Sequence, residues 1–193
     1  MGRKGKDPDE LRKKIIDIAY TIIVTEGLRK CTVRAVTKRA GCALGSLGYL
    51  FTGLDDVILA VNTRTLTEMG QYMFEKAQAE KEEQVVDRLT ALALAYFTYA
   101  KDYFNQWEAL FVLRFSQSEL PSEYLQVRSQ LILKITTLFS KDMTDQKKNI
   151  MLARTMYEAV HGIVVLGLDH RLGGTSQDVE NRIRLLVSTM IKN

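Results

Sequence analysis

Apolar residues recur along this chain at spacings of three and four, the period of a helix that buries one face. The clearest stretch begins after Pro8 and continues to about Thr25, with Gly27 as a stop. Alternation of the kind that predicts strands is nowhere sustained. The pattern therefore predicts an all-α protein of about nine helices. The apolar stripe of the first helix consists of Ile15, Ile18, Ala19, Ile22 and Ile23.

Short polar motifs predict where two later helices begin. Thr52 and Asp55 have the spacing of a capping box, in which a hydroxyl and a carboxylate satisfy the first backbone N–H groups. Thr175 and Asp178 repeat this spacing before the last helix, which we expect to end near Ile191.

Charge is distributed unevenly along the chain. Residues 1–52 contain 11 Lys and Arg against 5 Asp and Glu, whereas the remainder contains 16 against 18. A basic N-terminal part favours a polyanion such as DNA as its partner, although a solvated basic face has the same composition.

Other classes of protein have little support. Two cysteines, Cys31 and Cys42, cannot build a disulfide framework, and we expect them to be small core residues or a thiol switch. The N-terminus has no apolar signal core, and the apolar run 162–168 is far shorter than the ~18 to 20 residues that span a bilayer. The chain is therefore expected to be cytoplasmic, with no membrane segment.

Catalytic and metal-binding motifs are not found in the sequence. It contains no His-Glu-x-x-His, no Cys-x-x-Cys and no glycine-rich phosphate loop after a strand. We expect neither an enzyme nor a cofactor or metal site.

Residues 32–51 carry the most informative motif. Thr32 can cap a short helix that Gly41 ends, and a further helical segment over 43–49 contains Gly45 and Gly48, each costing about 1 kcal/mol relative to alanine. This succession predicts a helix-turn-helix whose last segment lies in the major groove of DNA, although a plain glycine-containing loop is the alternative. The residues expected to pack on the first helix are Val33, Val36, Cys42 and Leu47.

The same region resembles the TetR family of transcriptional regulators over residues 11–60. Matching positions are Thr32, Val36, Thr37, Ala40, Gly41, Cys42, Gly45, Ser46, Leu47, Phe51 and Asp56. The sequence departs from the family pattern at Ala43, Gly48, Leu50, Gly53 and Leu54. Several of the family side chains at the departing positions contact phosphates, and Arg3, Lys4 and Lys6 of the N-terminal arm are expected to substitute for them, with Thr32, Tyr49 and Thr52. The expected DNA-binding residues are Thr32, Ala43, Leu44, Gly45, Ser46, Gly48, Tyr49 and Thr52.

The C-terminal part resembles the ligand-binding part of TetR regulators, and residues 156–168 are similar to the Trp-His-Gly variety, with Tyr157 at the usual Trp position. His161 is either a hydrogen-bonded core histidine or a polar group in a pocket wall. The dense aromatic residues are either plain core or the lining of a cavity. The expected ligand-binding residues are Phe104, Trp107, Phe111, Phe115, Tyr157 and His161.

Apolar stripes on the last two helices predict a homodimer with a four-helix interface. The expected interface residues are Gly162, Val165, Leu166, Asp169, Ile183, Leu186, Val187 and Met190.

These expectations combine into one interpretation with one alternative. Residues 1–53 form a DNA-binding domain and residues 54–193 a ligand-binding and dimerisation domain. The chain is then a ligand-responsive regulator that a small hydrophobic molecule releases from a near-palindromic operator. The alternative is a helical small-molecule-binding or protein-interaction dimer that has lost DNA reading.

Overall fold

The computed structural model describes residues 7–79, 84–113, 120–139, 145–169 and 174–191. Within these ranges the chain forms nine α-helices, one single-turn 3-10 helix (Leu28–Lys30) and no strand, which confirms the all-α prediction. The helices are α1 (Pro8–Glu26), α2 (Val33–Ala40), α3 (Leu44–Leu50), α4 (Leu54–Ala79), α5 (Val85–Asp102), α6 (Phe104–Val112), α7 (Ser122–Thr136), α8 (Gln146–Leu168) and α9 (Ser176–Ile191).

Helix ends near the N-terminus follow the sequence signals. Gly27 after α1 has a φ of 82° and Gly41 after α2 a φ of 65°, conformations that glycine adopts without a Cβ clash. The Thr32 hydroxyl accepts a hydrogen bond from the Ala35 N–H at 3.2 Å and so caps α2. The predicted stops and the predicted cap are confirmed.

Of the two predicted capping boxes, the one before α9 is confirmed. Before α9, the Thr175 N–H donates to the Asp178 carboxylate at 2.6 Å. Before α4, Thr52 donates its N–H, at 2.9 Å, and its hydroxyl to Asp56 rather than to Asp55. The prediction of Asp55 is wrong because α4 begins at Leu54, which makes Asp56 the third helical residue.

Two compact units make up the chain. The first consists of Met1–Leu66 and Tyr103–Leu125, and the second of Thr67–Asp102 and Gln126–Asn193. Helix α4 contributes residues to both units, and α6 belongs to the first unit with the N-terminal helices. The functional boundary between residues 53 and 54 stays a prediction.

The first unit is built around α1, which packs against α2 and α6. Side-chain amides tie backbone carbonyls of this unit to distant helices: the Asn62 Nδ2 donates to the Ala109 carbonyl at 3.1 Å, and the Asn105 Nδ2 donates to the Val24 carbonyl at 3.0 Å. These contacts fix α6 beside the N-terminal helices. The buried core includes Ile15, Ala19, Ile22, Ile23, Val36, Ala40, Leu47, Val57, Ile58, Val61 and Ala109.

The second unit has α5 and α8 packed against each other and α9 against both. Helices α8 and α9 cross closely at Gly167, where a Cβ would lie only 2.6 Å from Val179 Cγ2. A side chain at this position would force the helices apart. The inward stripe of α8 consists of Asn149, Ala153, Met156, Val160 and Val164.

Helix α8 also carries much uncovered apolar surface. By length and composition it could cross a membrane, and α3 with α4 passes the same test when the bent pair is counted as one span. Core helices pass this test as well. In its most apolar 18-residue window, however, only 22% is buried within the protein, so a large part of the helix has apolar surface available for another contact.

Candidate nucleic-acid interface

Helix α3 is attached to the first unit by one main anchor and presents its other side chains to solvent. Leu47 is 3% exposed and belongs to the core, whereas Leu44 is 61% and Tyr49 80% exposed. Leu44 and Tyr49 therefore form an exposed apolar surface on either side of the buried Leu47, and such a surface can contact another molecule.

Gly45 and Gly48 have no structural requirement to be glycine. A Cβ built at either position meets no atom within 4 Å, and neither residue has a positive φ. The fold therefore accepts a larger residue at both sites.

The remaining predicted contact residues surround α3. Ala43 is exposed at its N-terminus, Ser46 is half-buried within it, and Thr32 is exposed at the start of α2. The Thr32 hydroxyl accepts from a backbone N–H, so its own proton remains available to a phosphate. Thr52 is exposed as well, but both its donors point to Asp56, and a phosphate would have to compete with that carboxylate.

Two basic side chains of α1, which sequence reasoning missed, hold the ends of the neighbouring helices. The Arg12 Nη1 donates to the Leu50 carbonyl at 2.7 Å, and its guanidinium lies 4.3 Å from the centre of the Phe51 ring. The Lys14 ammonium donates to the Ala40 carbonyl at 2.9 Å. Positive charge at a helix C-terminus is stabilising. The sequence shows three basic residues in α1, Arg12, Lys13 and Lys14, but nothing in it indicates the partners of Arg12 and Lys14.

Further basic residues lie on α2. Arg34, Lys38 and Arg39 are exposed, while α3 itself contains no charged residue. Arg39 pairs with Glu26 at 2.7 Å, and the hydrogen bond from Arg39 lowers the pKa of that carboxyl group. Among the described residues, a polyanion at α3 would therefore obtain positive charge from side chains outside α3, such as those of α2. Arg3, Lys4 and Lys6 of the N-terminal arm lie outside the described residues.

The cysteines of this region differ in their surroundings. Cys31 is buried, and burial raises the pKa of its thiol to about 11, so the thiol stays protonated at neutral pH and has little reactivity. Cys42 is half-buried, with its Sγ 3.8 Å from the Thr37 carbonyl. Val33 and Cys42 pack on the core with Val36 and Leu47, which confirms their predicted packing.

The predicted ligand-binding residues fall into two groups. Phe104, Trp107 and Phe111 belong to the first unit, where the Trp107 ring centre lies 5.9 Å from that of Phe104 and 5.6 Å from that of Phe111. Tyr157 and His161 belong to the second unit. Their combination into one site stays a prediction. Phe115 lies outside the described residues.

The second unit contains a small pocket of its own, with a volume of about 30 Å³. Tyr157 lines it, and His161 lies beside Tyr157 with the two rings stacked at 6.3 Å between centres. The Tyr96 hydroxyl and the His161 Nδ1 are hydrogen-bonded at 2.7 Å. Most lining residues are ordinary core types that sequence reasoning could not single out: Met73, Leu89, Leu92, Ala93, Tyr96, Ile135, Ala153, Met156, Tyr157 and Val160.

Among the described residues, no group of three or more His, Cys, Asp or Glu side chains is placed to hold a metal ion.

The residues of α8 that were predicted to form the dimer interface lie outside the buried stripe of that helix. They are half-buried or exposed: Gly162, Val165, Leu166 and Asp169. On α9 the outcome is mixed. Leu186 and Met190 are half-buried, whereas Ile183 and Val187 are each 0% exposed. Ile183 and Val187 have no surface to offer a second chain, because α9 packs against α5 and α8 of the same protomer.

Known structures resemble this fold over nearly its whole length. A protein of unknown function from Rhodococcus sp. RHA1 has a TM-score of 0.71 at 16% identity, with 98% of each chain covered. A TetR transcriptional regulator from the same organism has a TM-score of 0.65 at 16% identity, covering 97% of this chain and 99% of its own. The multidrug binding protein EbrR, complexed with imidazole, has a TM-score of 0.63 at 22% identity, covering 93% and 94%. At such identities these likenesses establish the fold.

Family-level comparison is more specific. The model of the tetracyclin repressor-like C-terminal domain matches residues 89–190, just over half of the chain. No curated protein matches the sequence, and the finer resemblance to the Trp-His-Gly variety is not confirmed. Members of the matched group bind DNA and small-molecule ligands, often as dimers, and are generally not enzymes. The chain belongs to the TetR family of transcriptional regulators.

Proposed function

We propose that this protein is a homodimeric, ligand-responsive repressor that reads a near-palindromic operator with residues 43–49 and leaves it when a small hydrophobic molecule binds. The observation that carries the proposal is the exposed face of α3. Leu44 and Tyr49 protrude from it, and the two glycines between them leave open space that the fold does not use. A recognition helix that approaches base edges closely needs such a face.

Side chains of α3 are suited to apolar and shape-dependent contacts. Leu44 can contact a thymine methyl group, and Tyr49 can donate its hydroxyl to a phosphate or a base edge. Since α3 has no basic residue, affinity depends on phosphate contacts made by neighbouring segments. Thr32 and the basic residues of α2 are the described groups that supply them.

A second chain completes the site. In a helix-turn-helix dimer the two recognition helices enter successive major grooves about 34 Å apart. The uncovered apolar face of α8, with Val165 and Leu166, is where we place the two-fold contact, with Leu186 and Met190 of α9 beside it. An apolar stripe of this kind is stabilised when a copy of itself covers it.

Release by a ligand requires a difference in affinity between two conformations. The ligand loosens DNA only if it prefers a conformer whose reading helices are misplaced, and DNA must then weaken ligand binding by the same factor. About 1.4 kcal/mol of coupling changes operator affinity tenfold. Trp107, the sole tryptophan of the sequence, gives a fluorescence signal with which ligand binding can be followed with and without operator.

The direct experiment is a titration of a labelled duplex, taken from the region upstream of the protein's own gene, followed by fluorescence anisotropy at 50 and 200 mM salt. With about six to ten phosphate contacts per dimer, affinity should fall by about 10³ to 10⁵ between these conditions. A scrambled duplex should bind at least 10³-fold more weakly than the operator.

Variants of two exposed leucines distinguish a loss of DNA recognition by α3 from a general effect of truncating an exposed side chain. Leu44→Ala should weaken operator binding, whereas Leu133→Ala, which truncates an exposed leucine on α7, should not. Tyr49→Ala should also weaken binding. Equal affinity for operator and scrambled duplex, or an unchanged affinity in both Leu44→Ala and Tyr49→Ala, would contradict the proposed reading surface.

The alternative is a small-molecule-binding or protein-interaction dimer without DNA reading. It is favoured by one observation: α3 has no charged residue, and both hydrogen-bond donors of Thr52 are directed to Asp56. Under this alternative the protein binds the two duplexes equally and weakly while the dimer and the ligand pocket remain.

A further inference from the structure

Helix α3 lacks the side chains that read bases by paired hydrogen bonds. Such contacts join Arg or Lys to guanine, Asn or Gln to adenine, and Asp or Glu to cytosine. The residues of α3, all of them described, are leucine, glycine, serine and tyrosine. Ser46 and Tyr49 each carry one hydroxyl, and a single hydroxyl can hydrogen-bond to several bases. The helix therefore has no hydrogen-bonding pair with which to select one base.

Leu44 is the side chain of α3 best placed for an apolar contact with a base. It is 61% exposed, whereas Leu47 is buried and Leu50 packs on the core. The residue one turn further along is Gly48, where even a Cβ would meet no atom within 4 Å. The space beside Leu44 is therefore open to the edge of a base pair.

A leucine side chain has one favourable partner in the major groove, the methyl group on C5 of a pyrimidine. The other groups at the base edges donate or accept hydrogen bonds, and leucine would bury them unpaired. Thymine carries this methyl group, and 5-methylcytosine carries it at the same ring position. Because leucine neither donates nor accepts hydrogen bonds, the contact is specific for the methyl group rather than for the base.

We propose that α3 recognises the C5-methyl groups of pyrimidines in the major groove, with Leu44 as the residue that contacts them. Each half-site then has a thymine at the position of Leu44, and a methylated cytosine at that position substitutes for it. The inference rests on the proposed DNA reading and names the chemical group that is read. It does not depend on release by a ligand.

Replacement of thymine by uracil tests the methyl group directly, because uracil lacks only that group. The probe is the near-palindrome that the purified protein enriches from a random-sequence pool, resynthesised with uracil at each half-site thymine in turn. At one position at least, the replacement should raise the Kd about fourfold per methyl group, and on the order of tenfold for the two half-sites together. An unchanged Kd at every position would overturn the proposal.

Cytosine and 5-methylcytosine, placed opposite guanine at the sensitive position, separate the methyl group from the base. The Kd ratio of cytosine to 5-methylcytosine should equal the ratio of uracil to thymine within about twofold, as expected for one shared contact. A preference for thymine that 5-methylcytosine does not share would mean that hydrogen-bonding groups of the base pair are read, and it would contradict methyl recognition.

Leu44→Ala identifies the protein side of the contact. In this variant the Kd ratio of uracil to thymine should fall to about one, since the partner of the methyl group has been removed. The control Leu133→Ala, which truncates an exposed leucine on α7, should keep the wild-type ratio. Because Leu44 is exposed, its truncation should leave the Tm unchanged in circular dichroism. A wild-type ratio in Leu44→Ala would exclude this residue as the contact.

Failure of this inference differs from failure of the proposed function. If the protein enriches a near-palindrome that it binds equally well with uracil, DNA reading stands and methyl recognition is wrong. If no duplex is enriched, the proposed function fails, and the methyl recognition that rests on it fails with it.

Discussion

Gly45 and Gly48 provide the sharpest test of the reading surface, because the fold and the proposed function make opposite demands on them. A Cβ at either position meets no atom of the chain within 4 Å. Each Gly→Ala change in a helix stabilises it by about 0.5–1 kcal/mol, mainly by restricting the unfolded chain. The double variant Gly45→Ala/Gly48→Ala should therefore gain about 1–2 kcal/mol of folding stability.

The gain is measurable as a rise in Tm. For a chain of this size about 1 kcal/mol corresponds to about 2–4 °C, so thermal unfolding followed by circular dichroism should show an increase of about 2–8 °C. Operator affinity should fall in the same variant, since each added methyl group intrudes where α3 approaches DNA. A loss of about 1.4 kcal/mol per dimer would reduce affinity tenfold.

Gly41 provides a control for the effect of backbone conformation on a glycine-to-alanine change. Its φ of 65° is one that alanine adopts at a cost, so Gly41→Ala should lower the Tm although no atom obstructs its Cβ. If the double variant is more stable and binds operator as tightly as wild type, α3 does not approach DNA at these glycines. A less stable double variant would show that the chain does obstruct a Cβ at Gly45 or Gly48.

Three further predictions concern the dimer interface, the support of α3 and the half-buried His161. Leu186→Glu should place an unpaired charge in the dimer contact and produce monomers in sedimentation velocity at micromolar concentration. The control Leu185→Glu, at a neighbouring residue that is 67% exposed, should remain dimeric. A monomeric wild-type protein would contradict the proposed interface. Arg12→Ala should lower stability by about 1 kcal/mol and weaken operator binding through loss of its contacts with the end of α3, and Lys13→Ala, at an exposed neighbour, should do neither. Because burial lowers the pKa of His161 in the folded state, the unfolded state binds more protons below pH 6.5, and folding stability should fall as the pH drops through that range. His161→Gln should reduce this pH dependence in urea titrations at pH 7 and pH 5.5, and an identical pH dependence in the variant would remove His161 as its source.

Local signals in the sequence were sufficient to predict both ends of α2. Capping by Thr32 and the stop at Gly41 depend on residues within four positions of each other, so the sequence contains all the partners. The error at the start of α4, Asp55 for Asp56, arose because α4 begins one residue later than the spacing implied. Such a shift depends on how the helix packs, which a local motif does not specify.

Contacts between distant segments were not predictable in the same way. Arg12 and Leu50 are 38 residues apart, and nothing in either segment identifies the other as its partner. On α9 the periodic apolar residues correctly indicated burial. The pattern could not distinguish burial against the same protomer, which is the position of Ile183 and Val187, from burial against a second chain.

The pocket illustrates the same limit. Met73, Leu89 and Ile135 come from three helices and have the composition of any helical core. Tyr157 stood out because residues 156–168 are similar to the Trp-His-Gly variety and Tyr157 is at the usual Trp position, whereas the residues that complete the wall carry no such signal. A cavity is a property of imperfect packing between helices, and residue types alone do not reveal it.

The central claim is that α3 reads a specific, two-fold symmetric DNA sequence. The most direct measurement is selection of bound duplexes from a random-sequence pool by the purified full-length protein, followed by sequencing over successive rounds. The account predicts enrichment of a near-palindrome whose half-sites lie about 10 bp apart, or a multiple of it, and loss of that enrichment in Leu44→Ala. A pool that remains random after several rounds at low salt, with a folded dimeric protein, would contradict the claim.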